Sequence, residues 1–154
     1  MTSQKKQTVY TLVVGLGKTG LSVVSYLYSL GEKIIVVDSR DIPPGLSILK
    51  QQYPEVSIVT GDFETALFTH AHRIIVSPGV PCSIPAIQQA RSKAIEICGD
   101  IDLFAHEVTA PVVGITGSNG KTTVTSLLTQ MAKKAGVDAT AAGNIGMPVL
   151  DMLN

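Results

Sequence analysis

The densest chemistry in the chain lies in Gly114-Ile115-Thr116-Gly117-Ser118-Asn119-Gly120-Lys121-Thr122-Thr123. The apolar run 111–116 reads as a buried strand and the residues after Thr123 as a helix, so Gly117, Ser118, Asn119 and Gly120 fall at a strand-to-helix junction. Glycines there let backbone N–H groups turn inward around an anion. The helix start adds unpaired donors and a partial positive charge, and Lys121 adds a full one. Thr122 follows the lysine, where a hydroxyl can ligate the magnesium that accompanies a nucleoside triphosphate. The pattern is that of a phosphate-binding loop for a nucleoside triphosphate and its Mg2+, with Lys121 as its cation. The general form G-x-x-x-x-G-K-[ST] would begin with glycine where this chain has Ile115; Gly114 sits one residue early and Gly117 is left to make the turn. A turn that caps a helix beside an incidental lysine is the bland alternative, and the Gly-Lys-Thr-Thr run at the junction argues against it. A charge-assisted phosphate contact is worth roughly 1.5–3 kcal/mol, against roughly 0.3–1 kcal/mol for a charge at a helix end alone. Loss of Lys121 is therefore expected to hurt most.

A second glycine cluster, Gly15-Leu16-Gly17-Lys18-Thr19-Gly20, closes a strand read over 8–14 and opens a helix read over 21–30. Ser22, Ser25 and Ser29 share one face of that helix, so its remaining apolar surface is expected against a sheet. The next strand, 33–37, ends in Asp38, about twenty residues past the glycines, where a dinucleotide fold places the carboxylate that holds a ribose hydroxyl. Strand, G-x-G-x-x-G, helix and acidic strand tip together indicate a nucleotide-binding βαβ unit; which nucleotide stays open. A strand over 73–76 runs into Ser77-Pro78-Gly79 on the same carboxyl edge, which makes Ser77 and the Gly79 backbone ligand candidates, with a plain exit turn as the alternative.

Further elements must position these groups. The spacing predicts a short helix over 46–53, a strand over 56–60, a helix over 84–93, a short strand over 94–98 and a connecting helix over 101–107. After the phosphate loop, Val124, Leu127, Leu128, Met131, Ala132 and Ala135 form one apolar helix face, expected to be core. A further strand is expected over 137–141 and a flexible turn over 143–148. The βα alternation predicts an α/β protein. It is read as a Rossmann-like parallel-sheet domain over 1–99, then a linker and the start of a P-loop ATP-binding domain over 100–154.

The 154 residues carry a formal net charge of zero with scattered Lys and Arg, which argues against a nucleic-acid partner. The basic N-terminus is followed by an apolar run broken at Gly15 and Gly17, so neither signal peptide nor membrane span is expected, and the location is read as cytoplasmic. Cys82 and Cys98 read as two reduced thiols. His70, His72 and His106 lack partners at metal-ligand spacing.

GLGKTGLS, DSRDIPPGL, SPGV, GDIDLF, GITGSNGKTTVT and GNIGMP occur in this order, and the chain so marked resembles the Mur ligases of peptidoglycan synthesis, most of all their D-glutamate-adding members. The resemblance implies ATP-dependent amide-bond formation between UDP-N-acetylmuramoyl-L-alanine and D-glutamate through an acyl phosphate, in a monomeric enzyme. It implies that the first domain holds UDP rather than NAD. Lys18 and Thr19 would meet the diphosphate, Asp38, Ser39 and Arg40 the uridine side, Ser77, Pro78 and Gly79 a second uracil-side wall, and Asn144 the muramoyl-peptide end. Gly117 to Thr123 would hold ATP, with Thr122 on magnesium. Family members often carry an apolar residue where this chain has Lys18, which leaves a backbone role there. Because the chain stops at Asn154, with one strand candidate beyond the loop strand, the expectation is an N-terminal segment of a longer enzyme, inactive by itself. An NAD(P)-dependent oxidoreductase would explain residues 15–40 but not the second loop, and a non-catalytic nucleotide sensor would use both.

Overall fold

The computed structural model describes residues 9–153; the basic N-terminus, Thr8 at the start of the expected first strand, and Asn154 lie outside the described residues. Five strands, β1 (Thr11–Val14), β2 (Ile34–Asp38), β3 (Ser57–Thr60), β4 (Arg73–Val76) and β5 (Glu96–Cys98), form one parallel sheet in the order β3-β2-β1-β4-β5. Parallel pairing needs a crossover connection, which the intervening helices supply, and burial on both faces lets the central strands be apolar throughout.

The helices α1 (Lys18–Ser29), α2 (Leu46–Gln52), α3 (Thr65–Thr69), α4 (Pro85–Ser92) and α5 (Asp100–Glu107) cover the two faces. Along β1 the pleat sends Val13 to one side, with Val23, Val24 and Leu27 of α1, Leu49 of α2 and Leu103 of α5. Leu12 and Val14 go to the other, with Phe68 of α3 and Ala86, Ile87 and Ala90 of α4. Register places Val14 opposite both Val37 and Val76, so β1, β2 and β4 end level at one edge. Chain order reverses between β1 and β4, and open α/β sheets bind ligands in the crevice outside that point.

The expected elements of residues 9–107 form, with ends shifted by a few residues; α1 begins at Lys18 because Gly17 is its N-cap. α3 has no counterpart in the sequence reading. Beyond α5 the expectations fail in three places. Residues 111–116 and 137–141 form no strand, since among the described residues no neighbouring strand offers them a ladder. α6 (Lys121–Lys134) forms as expected, yet none of its residues is buried: Val124, Leu127, Leu128 and Met131 are exposed, because among the described residues no sheet lies beneath them. Ser22, expected on a solvent face, is buried beneath a 3-10 turn, Val149–Met152, that folds back onto α1 and α5.

The turn between β1 and α1 is tight. A Cβ on Gly20 would lie 2.0 Å from the Gly15 carbonyl oxygen, while one on Gly17 would meet nothing within 4 Å. Gly20→Ala is expected to cost about 3 kcal/mol or more in urea unfolding, and Gly17→Ala less than about 1 kcal/mol. Similar costs for both would show that this turn is not close-packed.

Candidate functional site

At the shared carboxyl edge the chain ties three strands together. Gly15 N–H donates to Val37 O at 2.8 Å, Ser77 N–H to Val14 O at 3.0 Å, and the Ser77 hydroxyl to Gly15 O at 3.2 Å. Gly15 adopts φ +95°, which a side chain would strain.

Asp38 closes the turn from the far side. Its Oδ2 accepts from the Leu16 N–H at 2.7 Å and from Arg40 Nη2 at 2.6 Å. Its Oδ1 accepts from the Arg40 N–H at 3.0 Å and Nε at 2.8 Å. A carboxylate offers about four lone pairs, so donors meet them all. Burial opposes the charge, but the bonds from Arg40 and from the Leu16 N–H outweigh it and lower the carboxyl to about 2. The Arg40 side chain stays half-exposed while its guanidinium is held on this anchor.

These groups line a cleft of about 530 Å³. Lys18 and Thr19 come from the first turn of α1, Asp38, Ser39 and Arg40 from the end of β2, and Ser77, Pro78 and Gly79 from the end of β4. Asn144 reaches it from the distant turn after α6. All nine residues proposed for the sugar nucleotide thus meet on one surface. The cleft also includes Phe63, Val80, Pro81 and Ile84, which the sequence reading left out. Phe63 follows the Gly61-Asp62 exit of β3 and packs against Phe68 with ring centroids 5.5 Å apart and planes tilted at 58°, so an aromatic just past a strand end was the available signal. At the α1 N-terminus Gly17 caps without a side-chain bond, and the first intrahelical bond is Leu21 N–H to Gly17 O at 3.0 Å. The amides of Lys18, Thr19 and Gly20 precede it, where a helix has no internal acceptor for them.

The second candidate loop stands apart, and none of residues 117–123 lines this cleft. Gly117 and Gly120 have φ +144° and +75°, Gly120 is the N-cap of α6, and the Lys121 ammonium folds back to donate to the Gly117 carbonyl. Ser118, Asn119, Thr122 and Thr123 are exposed. Two left-handed glycines, a helix start and an ammonium facing the loop suit a phosphate chain, and the Thr122 hydroxyl is free to turn toward a metal. Among the described residues no group of three His, Cys, Asp or Glu side chains forms a metal cluster, and no helix is long and apolar enough to cross a membrane. Both cysteines are unpaired; burial, with Glu96 and Asp102 nearby, pushes the Cys98 thiol up to about 11.

A parallel sheet in this order, with a glycine turn and an acidic strand tip at its switch point, defines a Rossmann-like unit. The family described as Mur ligase MurD-like, N-terminal domain, matches residues 9–99, and the chain belongs to that family. It is 53% identical over 143 residues to a UDP-N-acetylmuramoylalanine--D-glutamate ligase of Marinobacter nauticus, covering 93% of this chain and 32% of the relative. To the enzyme of the same name from Nitrosococcus oceani it is 51% identical over 150 residues, covering 97% and 33%. The chain therefore spans about a third of the length of these relatives. Among solved structures, a pseudomurein peptide ligase type C from Methanothermus fervidus matches with a TM-score of 0.53 at 26% identity, over 82% of this chain and 26% of that one.

The Asp38 anchor has a pH signature. A carboxyl lowered from 3.8 to about 2 contributes its stability in full above the ordinary value and loses it as pH falls through the folded one. The contribution is at most about 2 kcal/mol after allowance for solvent around the half-exposed Arg40. Urea midpoints of the wild type should drop between about pH 4 and pH 2, while Asp38→Asn, less stable at neutral pH, should change less over that window. Parallel pH curves for the two proteins would remove Asp38 from this role.

Proposed function

We propose that the chain supplies the sugar-nucleotide cleft and the ATP phosphate loop of a ligase of peptidoglycan precursor synthesis that joins D-glutamate to UDP-N-acetylmuramoyl-L-alanine. The observation that carries this reading is the convergence of Lys18, Thr19, Asp38, Ser39, Arg40, Ser77, Pro78, Gly79 and Asn144 on one cleft at the switch point, in a chain of this family.

In this reading the diphosphate sits against the amides of Lys18 and Thr19 at the start of α1, where the helix dipole favours negative charge. The uracil lies between the Ser77-Pro78-Gly79 turn and the segment from Asp38 to Arg40, with Phe63 as an apolar wall. Asp38 works through what it holds, Leu16 and Arg40; a direct bond from its carboxylate to the ribose would require one of four donors to let go. Asn144 faces the muramoyl-peptide end. ATP would supply the phosphoryl group that activates the substrate carboxylate as an acyl phosphate; the D-glutamate amine would then attack its acyl carbon, forming the amide and releasing inorganic phosphate. Gly117, Ser118, Asn119, Gly120 and Thr123 would cradle its phosphates, Thr122 would hold Mg2+, and Lys121 would leave the Gly117 carbonyl to offset charge on the transferring group. Residues 1–99 are read as the UDP-sugar domain and 100–154 as a linker with the beginning of the ATP domain, in a monomeric cytoplasmic enzyme. The 154 residues alone bind without turnover, because α6 buries none of its residues and, among the described residues, its loop has no strand behind it.

Titration of the chain with UDP-N-acetylmuramoyl-L-alanine and, separately, with NADH should give saturable binding of the first alone. Arg40→Ala and Ser77→Ala should each weaken it by roughly three- to tenfold, the loss expected of one hydrogen bond. Binding of NADH instead would move the cleft to the oxidoreductase class, and ADP release dependent on D-glutamate would refute the inactivity of the chain alone.

A further inference from the structure

Asn144 is the one cleft residue that comes from beyond α5, and it is far from the sheet in sequence. The segment that carries it is a hook. Ala142 bridges to Met147, and the Gly143 N–H donates to the Met147 carbonyl at 2.8 Å, which leaves Asn144 in the bend of a closed turn. Behind the bend, Val149 and Leu150 are buried in the cluster that contains Val23, Leu27 and Leu103. Apolar burial of this kind holds the hook against α1 and α5 but is non-directional and does not fix its register.

One polar contact can fix it. The Ser22 hydroxyl of α1 donates to Asp151 Oδ1 at 2.5 Å, across 129 positions of sequence. Ser22 is only 5% exposed, and it lies one turn from Lys18 and Thr19, which line the cleft. Among the described residues this is the only side-chain hydrogen bond between residues 109–153 and the preceding unit, and no backbone hydrogen bond joins the two. A hydrogen bond to a carboxylate is short and directional, so this one selects a single placement among those the apolar contact allows.

We propose that Ser22 and Asp151 are positioning residues for the sugar-nucleotide cleft: their hydrogen bond sets the register of the 142–152 hook on α1 and thereby holds the Asn144 side chain at the sugar-peptide end of the ligand. The inference rests on the reading of the cleft as a UDP-sugar site. It makes the affinity for the sugar-peptide part of the ligand, and not for its nucleotide part, depend on a contact outside the cleft.

The test titrates the chain with UDP-N-acetylmuramoyl-L-alanine and with UDP alone. Ser22→Ala and Asp151→Ala should weaken the sugar-peptide nucleotide by roughly three- to tenfold and leave UDP affinity unchanged. Asp151→Asn, which keeps the acceptor oxygen, should restore binding. Ser22→Ala combined with Asn144→Ala should bind no more weakly than Asn144→Ala alone, since both would remove the same contact. Additive losses, equal losses for the two ligands, or unchanged affinities would overturn the inference while leaving the cleft assignment in place. A wild-type chain that binds neither ligand would overturn both.

Discussion

The site depends on one buried carboxylate. Asp38 stands at the end of β2 and receives the Leu16 amide from the turn after β1. Without an acceptor there, Leu16 N–H would be buried and unsatisfied in a turn whose other constraints are steric, such as the approach of Gly20 to the Gly15 carbonyl. The same carboxylate draws in both the backbone and the guanidinium of Arg40. One ionised group therefore shapes the glycine turn and aims the cation beside it. Its charge survives burial because four donors replace the water it lost.

From that anchor follows a difference between the two glycine-rich loops. The first is held by the sheet edge on both sides, through Val37, Val14 and Ser77, so the donors at the start of α1 are fixed before any ligand arrives. The second has the right dihedral angles and a helix behind it, yet its ammonium is engaged with the loop's own carbonyl and its neighbours are exposed. Preorganised donors act on a bound phosphate at little reorganisation cost. Donors that must first be released do not.

The sequence made the sheet unit legible because its signals were local: β-branched runs of four or five residues, glycine turns, and Asp38 at a strand tip. Of the nine cleft residues, spacing and strand ends pointed to Asp38, Ser77 and Gly79; Lys18, Thr19, Ser39, Arg40, Pro78 and Asn144 needed the resemblance, and their meeting on one surface needed the fold. Spacing placed Asp38 at the strand tip, but not the four protein donors that meet its lone pairs, a fact about neighbours that spacing does not encode. α3 escaped because five residues are too short for a helical period to be recognised. The apolar runs at 111–116 and 137–141 read as strands from composition alone, but a strand is a relation between two segments, and the second is missing among the described residues.

The buried Ser22 shows the opposite failure. Three serines on one face read as a solvent-facing stripe, and the stripe is real for Ser29, which is exposed. At Ser22 the polarity serves a partner 129 positions away, so the hydroxyl that marked the face as external is what permits it to be covered. A valine there would bury as readily against Val149 and Leu150 but would leave the Asp151 carboxylate without its donor. Polarity on that face of α1 thus distinguishes a specific docking surface from a general one, and it is the stretch carrying Asn144 that docks. The consequence is that the cleft is not the property of the first 99 residues alone: its last wall arrives with the return of the chain onto α1, after α6 has been made.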